Sequence, residues 1–461
     1  MEKKNQKALK EVKDSKRMIT IQAIGGYDEV GKNMTAVTVN GETVLFDMGI
    51  QLDNYIKLTE EGDIIKYSPD ELIAAEAVPD VTLLGKKALQ VKAILPSHAH
   101  LDHIGAIPFL ARRFKKAGIY GTPFTMSVLN KTLQDEKINL PNRITSVTPN
   151  STVKITKNLK AEFINTTHST PQSAMIALHT PEGIILYAND FKFDLYPTLG
   201  KKPNFERLKE LGKKGIRALI VDSTYSRSHM KMPSESVAKQ MLKDVMLGTD
   251  NRGKGILVTT FSSHIARLKS IIEYGKKLNR KVVFLGRSLT KYTYAAEDIG
   301  LVHFSKEVEL VRYWKQIKRK LKQVVKDGKQ KYVLVVTGHQ GEPKSTLSKM
   351  VDEKTDYRFG HEDHVIFSCK TIPSPTNIAN REYLEQNLKH YGVRIFKDIH
   401  VSGHAAREDI RDLINFVRPE HIIPSHGTVE MTSATKELAK EMGYETGKTV
   451  HMMHDGTEVR I

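Results

Sequence analysis

The densest run of reactive side chains in the sequence is Pro96-Ser97-His98-Ala99-His100-Leu101-Asp102-His103, directly after the apolar stretch VKAIL. In an extended chain alternate side chains share a face, so His98 and His100 can reach one metal ion. If the chain then turns into a helix, Asp102 and His103 come round towards a second ion. Imidazole and carboxylate together suit zinc, and manganese as a second choice. Grouped at a strand-to-helix junction, these side chains are a far more specific signal than scattered surface histidines.

A two-ion site needs further ligands, and they stand at the ends of β-rich runs: His168 in NTTHSTP, Asp190 in YANDFKFD and His426 in PSHGT. Each alone reads as an ordinary loop residue; behind the anchor run, the set reads as ligands. Asp47, in VLFDMG, is either a turn residue or an acceptor that orients a ligand histidine, as metal sites commonly require.

The elements that must position these groups follow from periodicity. MITIQAIGG, TAVTVNG and TVLFDMG are short strands separated by glycine. After VKAIL a helix is expected around 107–117, then strands at 153–155, 159–165, 173–179 and 183–188, and the run IRALIVDS. From about Tyr225 helix and strand alternate: a helix over 235–246, GILVTTFS, a helix over 264–278, KVVFLG, YVLVVTG and TLSKMVD. Alternation of this kind argues for a parallel sheet with helices on its faces. The tail is read as the strand VRIFKDIHVSG, a helix over 408–416, the strand HIIPSH, a helix and a terminal strand TVHMMHDG. Its histidine-bearing segments match the first region in texture, so one αβ domain is interrupted by another. The expected division is a basic arm at 1–17, mobile or a frayed helix, a first domain part at 18–224, an insertion at 225–372 and a return at 373–461.

With 71 Lys and Arg against 53 Asp and Glu, the chain carries a formal charge of +18, which favours polyanionic partners, nucleic acid first. No apolar run approaches the ~20 residues a membrane span needs. The Lys-rich start lacks the apolar core of a secretory signal, and neither end carries a common lipidation motif. The single Cys369 excludes an intrachain disulfide and a Cys-based zinc cage, and its apolar setting, HVIFSCK, reads as a buried structural thiol. A cytoplasmic protein without membrane attachment is expected.

In Asp47, the HxHxDH run at 98–103, His168 and Asp190, the sequence resembles the metallo-β-lactamase superfamily. Asp222 in VDSTY, His404 in HVSGHA and His426 in PSHG make it similar to the nucleic-acid-processing β-CASP branch. EVGKNM at 29–34, VPDVTLL at 78–84, NDFKFD at 189–194 and TGHQGEP at 337–343 resemble ribonuclease J, in its shorter archaeal form. The resemblance covers nearly all the chain beyond the basic arm. It implies a metallo-β-lactamase αββα sandwich interrupted by an inserted β-CASP α/β domain with a parallel sheet. It also implies two Zn2+ (or Mn2+), with His98, His100 and His168 on one, Asp102, His103 and His426 on the other, and Asp190 bridging. Asp222 and His404 would pair beside the leaving group. His339 and Ala406 stand where bacterial relatives tend to carry serine. No additional C-terminal domain is expected after Ile461, and a homodimer is expected.

A metal pair ~3.5–4 Å apart can hold a hydroxide and clamp the phosphate under attack, while a protonated His404 serves the departing 3′ oxygen. The strand-to-helix loop Gly338-His339-Gln340-Gly341-Glu342-Pro343 is expected to offer free backbone N–H groups to a phosphate. Ser402, Ser262 and Arg287 are further candidates for that role. Trp314, Ile317, Leu321 and Val324 form one helix face opposite Lys315, Lys318, Lys322 and Lys326, read as a packed helix with a solvated side. Tyr27, Tyr55 and Tyr225 could stack bases. The leading expectation is a ribonuclease, and the resemblance implies that it shortens single-stranded RNA from a 5′-monophosphate end, with possible internal cutting. The alternatives are an endonuclease of the cleavage and polyadenylation type, a small-molecule hydrolase of the glyoxalase II or lactamase type, and a non-catalytic RNA-binding relative.

Overall fold

The computed structural model describes residues 18–61 and 67–461; the expected basic arm at 1–17 lies outside the described residues. Three sheets organise the chain. The first is ordered β19 (Glu458–Arg460), β1 (Ile19–Gly25), β2 (Met34–Val39), β3 (Glu42–Phe46), β4 (Val91–Leu95), β5 (Gly118–Gly121), β6 (Ile144–Ser146). The second is ordered β18 (His421–Ser425), β11 (Ile216–Asp222), β10 (Gly183–Ala188), β9 (Ala174–Thr180), β8 (Lys160–Asn165), β7 (Ser151–Lys154). These two sheets pack face to face: Ile21, Val37, Phe46 and Leu95 of one meet Phe163, Ile176, Tyr187 and Ile220 of the other in a single buried cluster. Helices cover both outer surfaces. Phe205–Lys214, Arg407–Val417 and Val429–Glu441 bury Leu208, Leu211, Ile410, Leu413 and Leu438 against the second sheet. The result is the four-layer αββα sandwich that the sequence implies.

The third sheet is wholly parallel and ordered β14 (Glu309–Val311), β13 (Lys281–Leu285), β15 (Tyr332–Val336), β12 (Ile256–Thr259), β16 (His364–Phe367), β17 (Arg394–Phe396). Its central strands read as continuous apolar runs because helices cover both faces. Helices Glu235–Gly248, Ile265–Lys277 and Arg287–Asp298 lie between this sheet and the sandwich, and Trp314–Asp327, Thr346–Val351 and Pro375–His390 cover the far side.

Three expectations need correction. The strand read as VRIFKDIHVSG is only Arg394–Phe396, and it pairs with β16 in the inserted sheet rather than with the sandwich. Helix Pro375–His390 carries the chain across to that edge before Arg394–Phe396 pairs there. The terminal strand is Glu458–Arg460, paired antiparallel with β1, while Val450 makes only isolated bridges. The single helix expected over 107–117 is instead a short α-turn, Ile107–Leu110, followed by a 3-10 turn, Ala111–Phe114. Among the described residues no helix is long and apolar enough to cross a membrane.

Candidate metal centre

The site lies where several strands end together. Strands β3 and β4 are parallel, as are β10, β11 and β18. Their C-terminal ends deliver Asp47, Ser97–His98, Asp190, Asp222 and His426 to one rim of the sandwich. β8 runs in the direction of β10, two antiparallel steps away, so the loop after it brings His168 to the same rim. Asp47, Asp190 and His426 hold left-handed backbone (φ 55°, 48° and 50°), which turns each side chain inward directly after its strand.

Two groups form there, overlapped by a third of Asp190, Asp222, His404 and His426. His98, His100, His168 and Asp190 bring one donor atom each within 4.8 Å of one another, and so do Asp102, His103, Asp190 and His426. In the first, His98 Nε2 and His168 Nε2 each lie 3.1 Å from His100 Nδ1 and 3.4 Å from Asp190 Oδ2. In the second, His103 Nε2 lies 3.3 Å from Asp190 Oδ2, and His426 Nε2 lies 3.3 Å from Asp190 Oδ1. Asp190 belongs to both. Segment 96–100 leaves the sheet as bends rather than as strand, yet the His98 and His100 rings still meet, at 4.8 Å between centroids.

The far nitrogens of these rings are fixed. His98 Nδ1 donates to Ser97 Oγ at 3.0 Å, and that hydroxyl donates to Asp47 Oδ2 at 3.0 Å. His103 Nδ1 donates to Asp47 Oδ2 at 2.7 Å, His168 Nδ1 to the Gly403 carbonyl at 2.7 Å, and His100 Nε2 to Ser263 Oγ at 3.0 Å. Each assignment leaves a lone pair facing the cluster. Burial pushes the pKa of His98 and His168 down and that of His100 to about 3, so these imidazoles are neutral. Burial opposes protonation of His103 too, but Asp190, Asp102 and Asp47 outweigh it and raise its pKa. Burial would raise the Asp190 pKa, yet the surrounding imidazoles, His103 and His426 foremost, hold it well below the usual carboxylate range. Asp190 Oδ1 and both ring nitrogens of His426 are buried without a hydrogen-bond partner. Buried polar atoms are seldom left so. Convergent nitrogen and carboxylate donors of this kind fit divalent cations.

Beside the cluster, His404 Nδ1 donates to Asp222 Oδ2 at 2.9 Å while its Nε2 lies 3.9 Å from Asp190 Oδ2. Its ring stacks between Tyr225 and His426, at centroid distances of 6.0 and 5.6 Å. Burial lowers the pKa of His404, but Asp190 and Asp222 together raise it to about 9, so it carries a proton at neutral pH.

The expected phosphate loop differs from its reading. The Gln340 N–H is taken by Glu342 Oε2 and the Gly341 N–H by the Gly338 carbonyl, so neither is free for an anion. The Gln340 side chain joins the Lys370 carbonyl to the Ile372 N–H, and a Cβ at Gly341 would meet the Asn380 carbonyl at 2.4 Å. Both residues serve packing, because helix Pro375–His390 closes tightly over this loop. His339 lies edge-on to Phe261 at 4.3 Å, Ser262 Oγ pairs with Ser288 Oγ at 2.8 Å, and Arg287 is exposed. Ser402 Oγ accepts from the His404 N–H at 3.2 Å, which keeps its own hydroxyl proton available. Tyr27 is not in the cleft: it is buried, with its hydroxyl on Thr35. Tyr55 packs on Phe109, and only Tyr225 reaches the site. Cys369 is buried, and its thiol is pushed up to about 12 by burial, which removes it as a nucleophile.

Several supporting residues escaped the sequence reading. Asn189 donates to the Tyr187 hydroxyl at 2.8 Å and to Asn33 Oδ1 at 3.3 Å, and accepts from Ser425 Oγ at 3.0 Å. Lys192 Nζ donates to the Ser402 and Pro233 carbonyls, at 2.9 and 3.1 Å, which fixes the loop that carries His404. Asn33 and Asn189 lie in EVGKNM and NDFKFD, motifs conspicuous in the sequence but without a role until the fold joins them.

Residues 27–244 match the metallo-beta-lactamase superfamily model, 253–383 the beta-CASP domain of ribonuclease J, and 392–453 the Zn-dependent metallo-hydrolase RNA specificity domain. The chain is 46% identical over 439 residues to ribonuclease J of Methanocaldococcus jannaschii, covering 95% of this chain and 98% of that protein. It is 43% identical over 445 residues to ribonuclease J of Pyrococcus abyssi, covering 96% and 97%. A crystal structure of a protein of unknown function from Enterococcus faecalis V583 shares the fold, with a TM-score of 0.63 at 15% identity over 96% of this chain and 100% of that one.

Proposed function

The chain belongs to the ribonuclease J family, and from that premise we propose that it hydrolyses single-stranded RNA in the 5′-to-3′ direction from a 5′-monophosphate end. The observation that carries the reading is the sharing of Asp190 between two four-residue donor groups, with the His404–Asp222 pair alongside. His98, His100 and His168 would hold one divalent cation and Asp102, His103 and His426 the other, zinc or manganese, with Asp190 common to both. Such a pair, when bound, supplies Lewis-acid polarisation of the phosphoryl oxygens and water made nucleophilic near neutral pH.

The chain's own residues do the rest. Asp222 holds the His404 ring through Nδ1, which leaves the Nε2 proton directed at the cluster and able to pass to the departing 3′ oxygen. Tyr225 and His426 restrict that ring to one plane. Ser402 and His339 are the groups left to contact phosphate, with Ser262 and Arg287 at the same sheet edge. Sheet membership supports a division into residues 18–224 and 397–461 for the metallo-β-lactamase domain and 225–396 for the β-CASP insertion.

The test uses metal-loaded protein with 5′-monophosphate RNA labelled at either end. Release of labelled mononucleotide from the 5′ end is expected, with loss of activity in His100→Ala and His404→Ala variants. Internal fragments alone would replace the exonuclease reading with an endonuclease one. No cleavage of either substrate would remove RNA as the target.

A further inference from the structure

The third sheet places a charged surface that the site does not use. All its strands are parallel, so their C-terminal ends share one edge, and that edge meets the metal cluster: Ser263 follows β12 and touches His100. After β13, Tyr292 donates to the Ala99 carbonyl at 3.3 Å. The same edge ends β14, where Arg312 and Tyr313 lead into helix Trp314–Asp327. That helix buries Ile317, Leu321 and Val324 and leaves Lys315, Lys318, Arg319, Lys322 and Lys326 exposed. These five cations recur at helical spacing, so they form one stripe. It begins at that strand-end edge and runs ~16 Å along the outside of the insertion, at a rise of ~1.5 Å per residue.

Among the described residues no carboxylate pairs with any of the five. The nearest acids are engaged elsewhere: Glu309 with Lys320, and Asp327 with the Tyr332 hydroxyl. At the head of the stripe the Tyr313 side chain is 53% exposed. Arg312 lies over it at 5.3 Å and is held by Asp135 of the sandwich. A line of uncompensated cations headed by an exposed aromatic is the combination that tracks a single-stranded backbone and stacks a base.

We propose that Lys315, Lys318, Arg319, Lys322 and Lys326, headed by Tyr313, form an external track for the body of a single-stranded RNA whose end occupies the cleft. The inference rests on the RNA-cleaving reading above. RNA is favoured over a membrane surface because the stripe starts at the strand-end edge that also reaches the metal cluster, at the seam where Arg312 is tied to Asp135 of the sandwich. The track makes affinity depend on length: only a strand long enough to leave the cleft gains from it.

The test compares single-stranded RNAs of about 25 and about 5 nucleotides on the wild-type protein and a K315Q/K318Q/R319Q/K322Q/K326Q variant. The wild type binds the long RNA about tenfold more tightly than the short one, and the variant loses that advantage, its salt slope falling by about 2 to 3. Turnover of the short RNA, which never reaches the stripe, reads the centre alone. A control variant, K115Q/K116Q/K154Q/K157Q/K160Q, removes the same charge from exposed positions elsewhere. Equal long-RNA affinity in the stripe variant and the wild type overturns the track. So does an equal loss in the control, which would assign the effect to net charge. Unchanged RNA binding with lost binding to phosphatidylserine vesicles would assign the stripe to a membrane. If the wild type cleaves neither RNA, the RNA reading itself fails, a result separate from all of these.

Discussion

Asp47→Asn tests whether the centre is held from behind. The Asp47 carboxylate is buried and receives four hydrogen bonds: from the Ser97 N–H at 2.7 Å, Ser97 Oγ at 3.0 Å, His103 Nδ1 at 2.7 Å and the Tyr187 hydroxyl at 2.8 Å. The amide can occupy the same space but can accept with only one of its two ends. If its oxygen takes the place of Oδ2, its NH2 faces the Ser97 N–H, donor against donor. That leaves a buried backbone donor unsatisfied, at ~1–3 kcal/mol. The three remaining bonds also lose their charge assistance, and a charged bond is roughly twice as strong as a neutral one. If the amide is reversed, His103 must present Nδ1 as an acceptor and place its proton on Nε2. His103 then has no lone pair facing Asp102 and Asp190.

Either way the group built on Asp102, His103, Asp190 and His426 weakens, while the group of His98, His100 and His168 is touched only through Ser97. The expected loss is about 10–100-fold in affinity for the divalent cation that this group would hold, read with zinc, with a fall of about 3 kcal/mol in the stability of the metal-free protein. Competition with a chromophoric chelator on stripped protein reads the first, and urea unfolding reads the second. Tyr187→Phe removes one donor and keeps the charge, so it should weaken zinc much less. Wild-type zinc affinity in Asp47→Asn, alongside normal folding, would refute the account of how His103 is oriented.

Three further outcomes follow from the same geometry. His404→Ala should lower kcat on RNA by ~10²–10⁴-fold and leave zinc stoichiometry unchanged, which stopped-flow cleavage and metal analysis would separate. The His404 pKa stands near 9, above its ordinary value of 6.5, so its proton is present below that pH and lost above it. Asp222 raises the His404 pKa through Nδ1, so Asp222→Asn should move the alkaline limb of the kcat profile downward; an unmoved limb would detach Asp222 from that proton. Glu162 is buried beside His179 and Arg207; burial raises its pKa, but the two partners pull it from 4.5 down to about 2. Its folded pKa lies below the unfolded one, so its stabilisation is present above about 4.5 and lost as the pH falls towards about 2. Glu162→Gln should cost ~2–3 kcal/mol at neutral pH, because each tenfold change in proton affinity corresponds to ~1.4 kcal/mol. The cost should shrink progressively in urea titrations at acid pH.

What was legible in the sequence was what is local in the chain. His98, His100, Asp102 and His103 lie within one strand-to-helix turn, so their meeting needs no knowledge of the rest of the fold. The more distant members, His168, Asp190 and His426, each follow a β-rich run, where a sheet releases side chains into a cleft, and they read as ligands only as a set behind the anchor run at 98–103. The misreadings have the opposite origin. Gln340 and Gly341 look like an anion loop from their spacing, but helix Pro375–His390 closes over them and consumes their hydrogen-bonding groups. Nothing between residues 338 and 343 announces that helix. Strand β17 is three residues long, too short for alternation to show which sheet it joins. Tyr27 sits in a glycine-rich stretch that reads as loop, yet it is buried in the core between the two sheets of the sandwich.

The same distinction explains why the centre is built on strained backbone. Asp47, Asp190 and His426 are non-glycine residues at positive φ, a conformation that costs of order 1–3 kcal/mol and persists only where the surroundings over-determine it. Here they do. The Asp47 N–H is tied to the Leu95 carbonyl and the His426 N–H to the Gly26 carbonyl. Asp190 follows Asn189, whose side chain spans Tyr187, Asn33 and Ser425. The segments contributing these ties come from both sheets of the sandwich, so the centre is held in shape by the packed core rather than by any one loop. A cation would then meet donors already in place. The positions least tolerant of change should include Asn33, Asn189 and Ser425, which hold the turns, as well as the residues that face the metal.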